Sequence, residues 1–181
     1  MTFSMAKLED GPDILDIYRH YVLNTAITFE YEPPSLMEME NRMKNIQAKY
    51  PYVVAREGNR IAGYAYASDF RTRAAYQWSP ESTIYLHPSC CGKGIGKLLY
   101  QKLFDVLAWQ GYYNVFAGIA LPNEASVALH QKLGFREVGV YEKIGYKFGK
   151  WHSTQWFQLV LKPHAENPAS PRIPDWANFT I

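Results

Sequence analysis

Apolar residues first recur at helical spacing, at Ile14, Leu15, Ile17, Tyr18, Tyr21 and Val22, after a short β-like run from Phe3 to Leu8. Asp10 stands where a helix N-cap belongs, and the pattern fades near Asn24. A second helical stripe, Leu36, Met39, Met43 and Ile46, follows Pro33 and Pro34, and Ser35 with Glu38 has the spacing of a capping box. The stretch 26–32 between the two stripes reads as a loop. From Tyr52 the text turns β-rich: Tyr52 to Arg56 and Ile61 to Ala67 flank a turn at Gly58 and Asn59, which predicts an antiparallel hairpin.

A polar interval, Ser68 to Ser79, leads to a third β-rich run, Glu81 to Leu86, which Pro88 closes. A helix is predicted from about Gly94 to Gln110, ended by Gly111. A strand from Tyr113 to Ile119, a helix from Asn123 to Leu133, and strands from Phe135 to Tyr141 and Trp151 to Leu161 complete the pattern. This order predicts one α/β (α+β) domain over residues 1–162, a mixed central sheet flanked by helices. Beyond Lys162, Pro163, Pro168, Pro171 and Pro174 interrupt a stretch with few apolar residues, so 163–181 reads as an extended tail.

Composition narrows the classes. The chain of 181 residues is 48% hydrophobic and 20% charged, the balance of a globular domain. Its net charge of +2 comes from 19 basic and 17 acidic residues without a basic run, so no nucleic-acid partner is expected. No stretch approaches the ~20 apolar residues of a membrane span, and residues 1–10 lack the apolar core of a signal peptide. Two adjacent cysteines, Cys90 and Cys91, suit a reducing, cytoplasmic setting. Neither has a recognisable base nearby in sequence, which disfavours a covalent cysteine scheme. His20, His87, His130, His152 and His164 show no metal-ligand spacing, so no metal is expected.

The chemistry centres on a turn, Cys91-Gly92-Lys93-Gly94-Ile95-Gly96, between a strand and a helix. Glycines let backbone N–H groups converge on one point, and the helix N-terminus adds positive potential, which together make an anion site. Lys93 and Lys97 add charge. The spacing is neither that of a dinucleotide fold nor that of a P-loop. Alone, such a turn suits several phosphate ligands.

The turn resembles the Gln/Arg-x-x-Gly-x-Gly/Ala element of the GNAT acyltransferases, and Asn123, Ser126 and Leu133-Gly134-Phe135 match that superfamily's next helix and strand. Arg73-Ala74-Ala75-Tyr76, Trp78, Glu81-Ser82-Thr83, Leu121-Pro122-Asn123, His130 and Gly149-Lys150-Trp151-His152 are similar to the phosphinothricin and methionine sulfoximine N-acetyltransferases, over roughly Ala6 to Leu161. Cys91, Phe148 and Ser153 depart from that pattern, standing where Gln or Arg, His, and Asp are usual. The resemblance implies a GNAT-like fold, acetyl-CoA as cosubstrate, a homodimer, and acetyl transfer to the α-amino group of a small amino acid or analogue. It also implies that Asn123 and Ser126, the backbone of Ile84, Tyr85 and Leu86, and the turn at Gly92, Lys93, Gly94, Ile95, Gly96 and Lys97 hold the coenzyme. Other acceptors, a polyamine, an aminoglycoside or a peptide N-terminus, and a noncatalytic acyl-CoA sensor are the rival readings.

An amine attacks a thioester only when neutral, so a base is needed, and Glu81 is the candidate. Strand alternation puts Glu81, Thr83 and Tyr85 on one face and Ser82, Ile84 and Leu86 on the other. The departing thiol, with a pKa of ~8.5, needs little help; His130, seven residues after Asn123, is a candidate donor or a packed histidine. For the acceptor, Arg71 or Arg73 offers a forked cation to a carboxylate. Phe29 and Glu30 are expected to close over it, with Tyr76, Trp78, Ser82 and Thr83 around it.

Overall fold

The computed structural model describes residues 1–176, 179 and 181. Seven strands form one sheet: β1 (Thr2–Met5), β2 (Tyr52–Glu57), β3 (Arg60–Ser68), β4 (Glu81–Leu86), β5 (Asn114–Ala120), β6 (Arg136–Lys147) and β7 (Lys150–Val160). Their spatial order is β1-β2-β3-β4-β5-β7-β6, antiparallel except for the central β4–β5 pair. Helices α1 (Gly11–Asn24) and α2 (Leu36–Gln47) cover one face of the first half of the sheet. On the opposite face lie α3 (Ile95–Gln110) and α4 (Glu124–Lys132). The mixed sheet with flanking helices is the one the sequence predicts.

Alternation in β2 feeds both layers. Val53 and Ala55 join Leu99, Leu103 and Leu107 of α3, while Tyr52 and Val54 join Ile14, Ile17, Met39 and Met43. In β3, Ala65 and Ala67 are the small residues beneath α3, and Tyr64 turns toward α1 and α2. Burial on both faces specifies register here, because a one-residue slip would exchange the two sets.

Several boundaries differ from the sequence reading for identifiable reasons. The first strand ends at Met5, since Leu8–Asp10 winds into a short 3-10 turn. Asp10 makes no side-chain cap to α1; its Oδ2 accepts from the Lys7 N–H at 2.8 Å and from Arg56 at 2.7 Å. Ser35 does cap α2, accepting from the Glu38 N–H at 3.2 Å, but the Glu38 carboxylate binds Arg42 and not the Ser35 backbone, leaving half a capping box. Strand β6 runs on to Lys147, beyond the predicted end at Tyr141. Its hairpin turns at Phe148 and Gly149, both at positive φ (51° and 72°), the signature of a two-residue type I′ turn.

After Lys162 the described chain runs back along the domain. The Arg172 N–H donates to Gln110 O at 2.7 Å, and the Gln110 side-chain amide returns a bond to Arg172 O at 2.8 Å. Trp176 donates through Nε1 to Gln47 O at 2.6 Å. No helix among the described residues is long and apolar enough to cross a membrane.

Candidate functional site: the split between two parallel strands

The hydrogen-bond register of β4 dictates what its outer edge offers. His87 N–H donates to Ala62 O, so Ala62 and His87 form a hydrogen-bonded pair, and so in alternation do Tyr64–Tyr85, Tyr66–Thr83 and Ser68–Glu81. The N–H and C=O groups of Ser82, Ile84 and Leu86 therefore point away from β3, toward β5. Yet β5 pairs with β4 at one position only, Glu81 with Phe116. Phe116 N–H donates to Pro80 O at 2.9 Å, Ser82 Oγ to Phe116 O at 3.4 Å, and beyond that the strands part. The backbone edge at Ile84 opens on the resulting gap, where an extended chain bearing amide groups meets donors and acceptors at strand spacing.

A cavity of about 200 Å³ occupies the split. Glu81, Ser82, Thr83, Ile84 and Tyr85 form one wall and Ala117 to Ala120 the other, with Asn123, Ser126, His130 and Tyr100 at the α3/α4 side and Ile27 and Thr28 opposite. Leu86 is engaged elsewhere: its carbonyl accepts from Tyr21 OH at 2.6 Å. Of the three expected backbone holders, Ile84 retains both groups toward the gap, Leu86 brings only its N–H, and the Tyr85 backbone is instead paired with Tyr64 of β3.

At the end of β4 the chain makes a short 3-10 turn, Pro88–Cys90, and enters the glycine segment. Gly92 and Gly94 adopt positive φ (75° and 78°), and a Cβ at either would meet nothing within 4 Å. Their glycine requirement is thus backbone conformation and not crowding. Gly94 sits at the N-cap of α3, and the first bond within that helix runs from Leu98 N–H to Gly94 O. The N–H groups of Ile95, Gly96 and Lys97 precede it and lack intrahelical acceptors, the arrangement that binds anions. Lys93 and Lys97 are exposed beside the turn; Gly96 is buried, and a Cβ there would come within 3.2 Å of Leu129 of α4. Cys91 is an exposed free thiol, its Sγ 3.9 Å from Tyr21 OH. These residues fit a pyrophosphate at the turn and a pantetheine arm along β4.

Glu81 is half-buried on the cavity wall. Burial pushes its carboxyl up to about 7, against a smaller opposing pull from Arg71. A carboxyl so placed exchanges a proton near neutral pH, the property required of a general base. His130 is different. It is only 2% exposed, and its Nδ1 lies 2.8 Å from Ser126 O, which can only accept, so Nδ1 carries the hydrogen. Its Nε2, 3.2 Å from Tyr100 OH, then accepts from that hydroxyl, and burial holds the ring below the ordinary histidine pKa, in the neutral form. The Nε2 bond ties α4 to α3 while the Nδ1 bond stays within α4, so both ring nitrogens are occupied. Asn123 lines the cavity while its Oδ1 caps α4, accepting from Ser126 N–H at 3.2 Å.

The other expected acceptor contacts divide. Arg71 lies on the exposed loop after β3, close enough to Glu81 to influence it, and over the Phe70 ring. Arg73 and Tyr76 are exposed in the same loop and do not line the cavity. Trp78 turns away altogether, donating from Nε1 to Ala169 O at 2.8 Å. Phe29 and Glu30 stand beside the cavity-lining Thr28, Glu30 paired with Arg42 at 2.6 Å. Sequence reasoning missed Thr28 and Tyr100. Thr28 falls in a loop with no motif, and Tyr100 looks like any apolar position of a long helix.

Comparison with known proteins agrees with this geometry. Residues 3–156 match the family described as the acetyltransferase (GNAT) domain. The phosphinothricin N-acetyltransferase of Streptomyces coelicolor is 42% identical over 157 residues, covering 84% of this chain and 92% of that protein. The L-methionine sulfoximine/L-methionine sulfone acetyltransferase of Salmonella typhimurium is 34% identical over 169 residues, covering 91% and 97%. A solved GNAT superfamily phosphinothricin acetyltransferase from Sinorhizobium meliloti, in complex with AcCoA, superposes with a TM-score of 0.90 at 41% identity, over 96% of each chain. The split β4–β5 pair, the glycine turn and these relatives give one conclusion: the chain belongs to the GNAT acetyltransferase family.

Proposed function

We propose that this protein transfers the acetyl group of acetyl-CoA to the α-amino group of a small amino acid or analogue of the phosphinothricin or methionine sulfoximine type. The observation that carries the reading is Glu81, a carboxyl with its pKa raised to about 7 on the wall of the β4–β5 split. Glu81 takes a proton from the acceptor ammonium, the freed nitrogen attacks the thioester carbonyl carbon, the C–S bond breaks, and the second proton that the nitrogen sheds on becoming an amide passes to water. The thiolate takes its proton from water, since a thiol with a pKa of ~8.5 is a good leaving group without an acid. His130, neutral and doubly hydrogen-bonded, serves as a brace. The Arg71 guanidinium near Glu81 supports an acceptor bearing a carboxylate, which favours an amino acid over a polyamine.

The relatives' activities support the same acceptor class. Two free cysteines, Cys90 and Cys91, support a cytoplasmic setting. Exposed apolar side chains on edge strand β6, among them Val138, Val140, Tyr141 and Ile144, support a homodimer. The decisive experiment is an acceptor panel with acetyl-CoA, read by thiol release and product mass. Acetylated methionine sulfoximine or phosphinothricin is the expected product. Thiol release with polyamines or aminoglycosides alone, or saturable acetyl-CoA binding without turnover, overturns the reading.

A further inference from the structure

The loop 25–31, between α1 and α2, carries Ile27 and Thr28 of the cavity and the adjoining Phe29 and Glu30. From the α1 side it is tied by Tyr18 OH, 2.9 Å from Thr28 Oγ1. Thr25 also bonds back to Tyr21 O at 2.7 Å, Arg42 of α2 pairs with Glu30 at 2.6 Å, and three further ties come from consecutive residues at the far end of β6. The Phe29 ring packs against Gly145, where an added Cβ would come within 2.6 Å of ring carbon. Tyr31 OH donates to Tyr146 O at 2.6 Å. Lys147 Nζ donates to Val22 O and to Thr28 O, both at 2.8 Å.

Lys147 is only 2% exposed, an unusual environment for a lysine ammonium. Val22 O belongs to the last turn of α1, one of the carbonyls a helix leaves without an internal donor. Thr28 O lies in the loop itself. One ammonium therefore satisfies both; burial pulls its pKa below the ordinary lysine value, against a smaller opposing pull from the Glu30 carboxylate. A glutamine amide also carries two donors on one nitrogen, but its side chain is one atom shorter than that of lysine.

We infer that Lys147 is a positioning residue for acetyl transfer, fastening the loop 25–31 to the β6–β7 hairpin and so setting the acceptor wall of the cavity. The inference rests on the proposed acceptor reaction but predicts a loop behaviour that exists without it. Its test uses the full chain, with Lys147→Met to remove the ammonium and Gly145→Ala to displace Phe29 from the other anchor.

Acceptor KM is expected to rise about tenfold or more in each, with acetyl-CoA KM within about twofold of the parent. Amide exchange of residues 25–31 should quicken while that of β2 and β3 stays unchanged. In the double variant the two effects on acceptor KM should combine to less than their product, because both free the same loop. Parallel rises in both KM values, or unchanged exchange over 25–31, overturn the inference. If Lys147→Met fails to fold, Gly145→Ala alone decides it. If no amine is acetylated at all, the proposed function fails and the exchange measurement still reads the latch.

Discussion

In the first half of the sheet, β2 and β3 are covered on both faces, with Val53, Val54, Ala55 and Ala65 at 0% exposure. In the second half, β6 leaves Val138 at 58% and Ile144 at 55% exposure, and of β7 only Phe157 is fully buried. Within the sheet the two halves pair at a single parallel position, Glu81 with Phe116. This contrast explains where chemistry is possible. Strand β4 is locked to a rigid half by its β3 register, so Glu81 is held in a desolvating environment and its pKa stays raised. Strand β5 follows the other half away, and the parting exposes backbone at Ile84 and makes room for substrate. Neither half alone makes the site.

The sharpest way to break this division of labour is to remove the proposed base. Glu81→Gln keeps the side chain's size and the β4 register, and acetyl transfer should fall by about 10² to 10⁴-fold, with acetyl-CoA affinity nearly unchanged. Rapid-mix thiol release against equilibrium binding separates the two.

The same substitution should also show that the rigid half holds Glu81 at a cost. Its pKa rises from 4.5 to about 7 on folding, so between those pH values the folded protein retains a proton that the unfolded chain releases. Stability therefore falls as pH rises through that window, and the full penalty persists above it. At pH 8, Glu81→Gln should stabilise the fold by up to about 3 kcal/mol, with the gain disappearing toward pH 4.5, as urea unfolding would record. An equal gain at both pH values would mean that the carboxylate is not being desolvated.

A smaller effect is expected from Gly94→Ala at the glycine turn. An alanine at φ 78° costs about 1–2 kcal/mol of backbone strain, with no crowding to add to it. Acetyl-CoA binding should weaken by about tenfold and acceptor KM hold, which calorimetry and steady-state kinetics will distinguish. A rise in acceptor KM instead would move the turn from the coenzyme side to the acceptor side.

Much of this was legible in the sequence because it is local. Gly92 and Gly94 sit between a β-rich run and a helical stripe, Asn123 opens a helix, and Glu81 starts a strand whose alternation is plain. What escaped depends on contacts between distant segments. Tyr100 and His130 brace each other across two helices, and nothing in either helix marks the pair. Trp78 looked like part of an acceptor pocket, yet its indole N–H is taken by Ala169 in the returning tail. Lys147 falls where a lysine reads as solvent-exposed, and the hairpin that places it turns on Phe148-Gly149, without the Asn-Gly or Asp-Gly that flags a type I′ turn. The split itself follows from a strand order that no local pattern encodes.

The most direct test of the central claim, that Glu81 at the β4–β5 split is the base, is the pH dependence of kcat/KM for the acceptor in the parent and in Glu81→Gln. The parent should show an acidic limb with an apparent pKa of about 7, rising with pH as the carboxylate forms, and the variant should lose that limb while keeping the one set by the acceptor's own amine. The same limb in both proteins would contradict the account.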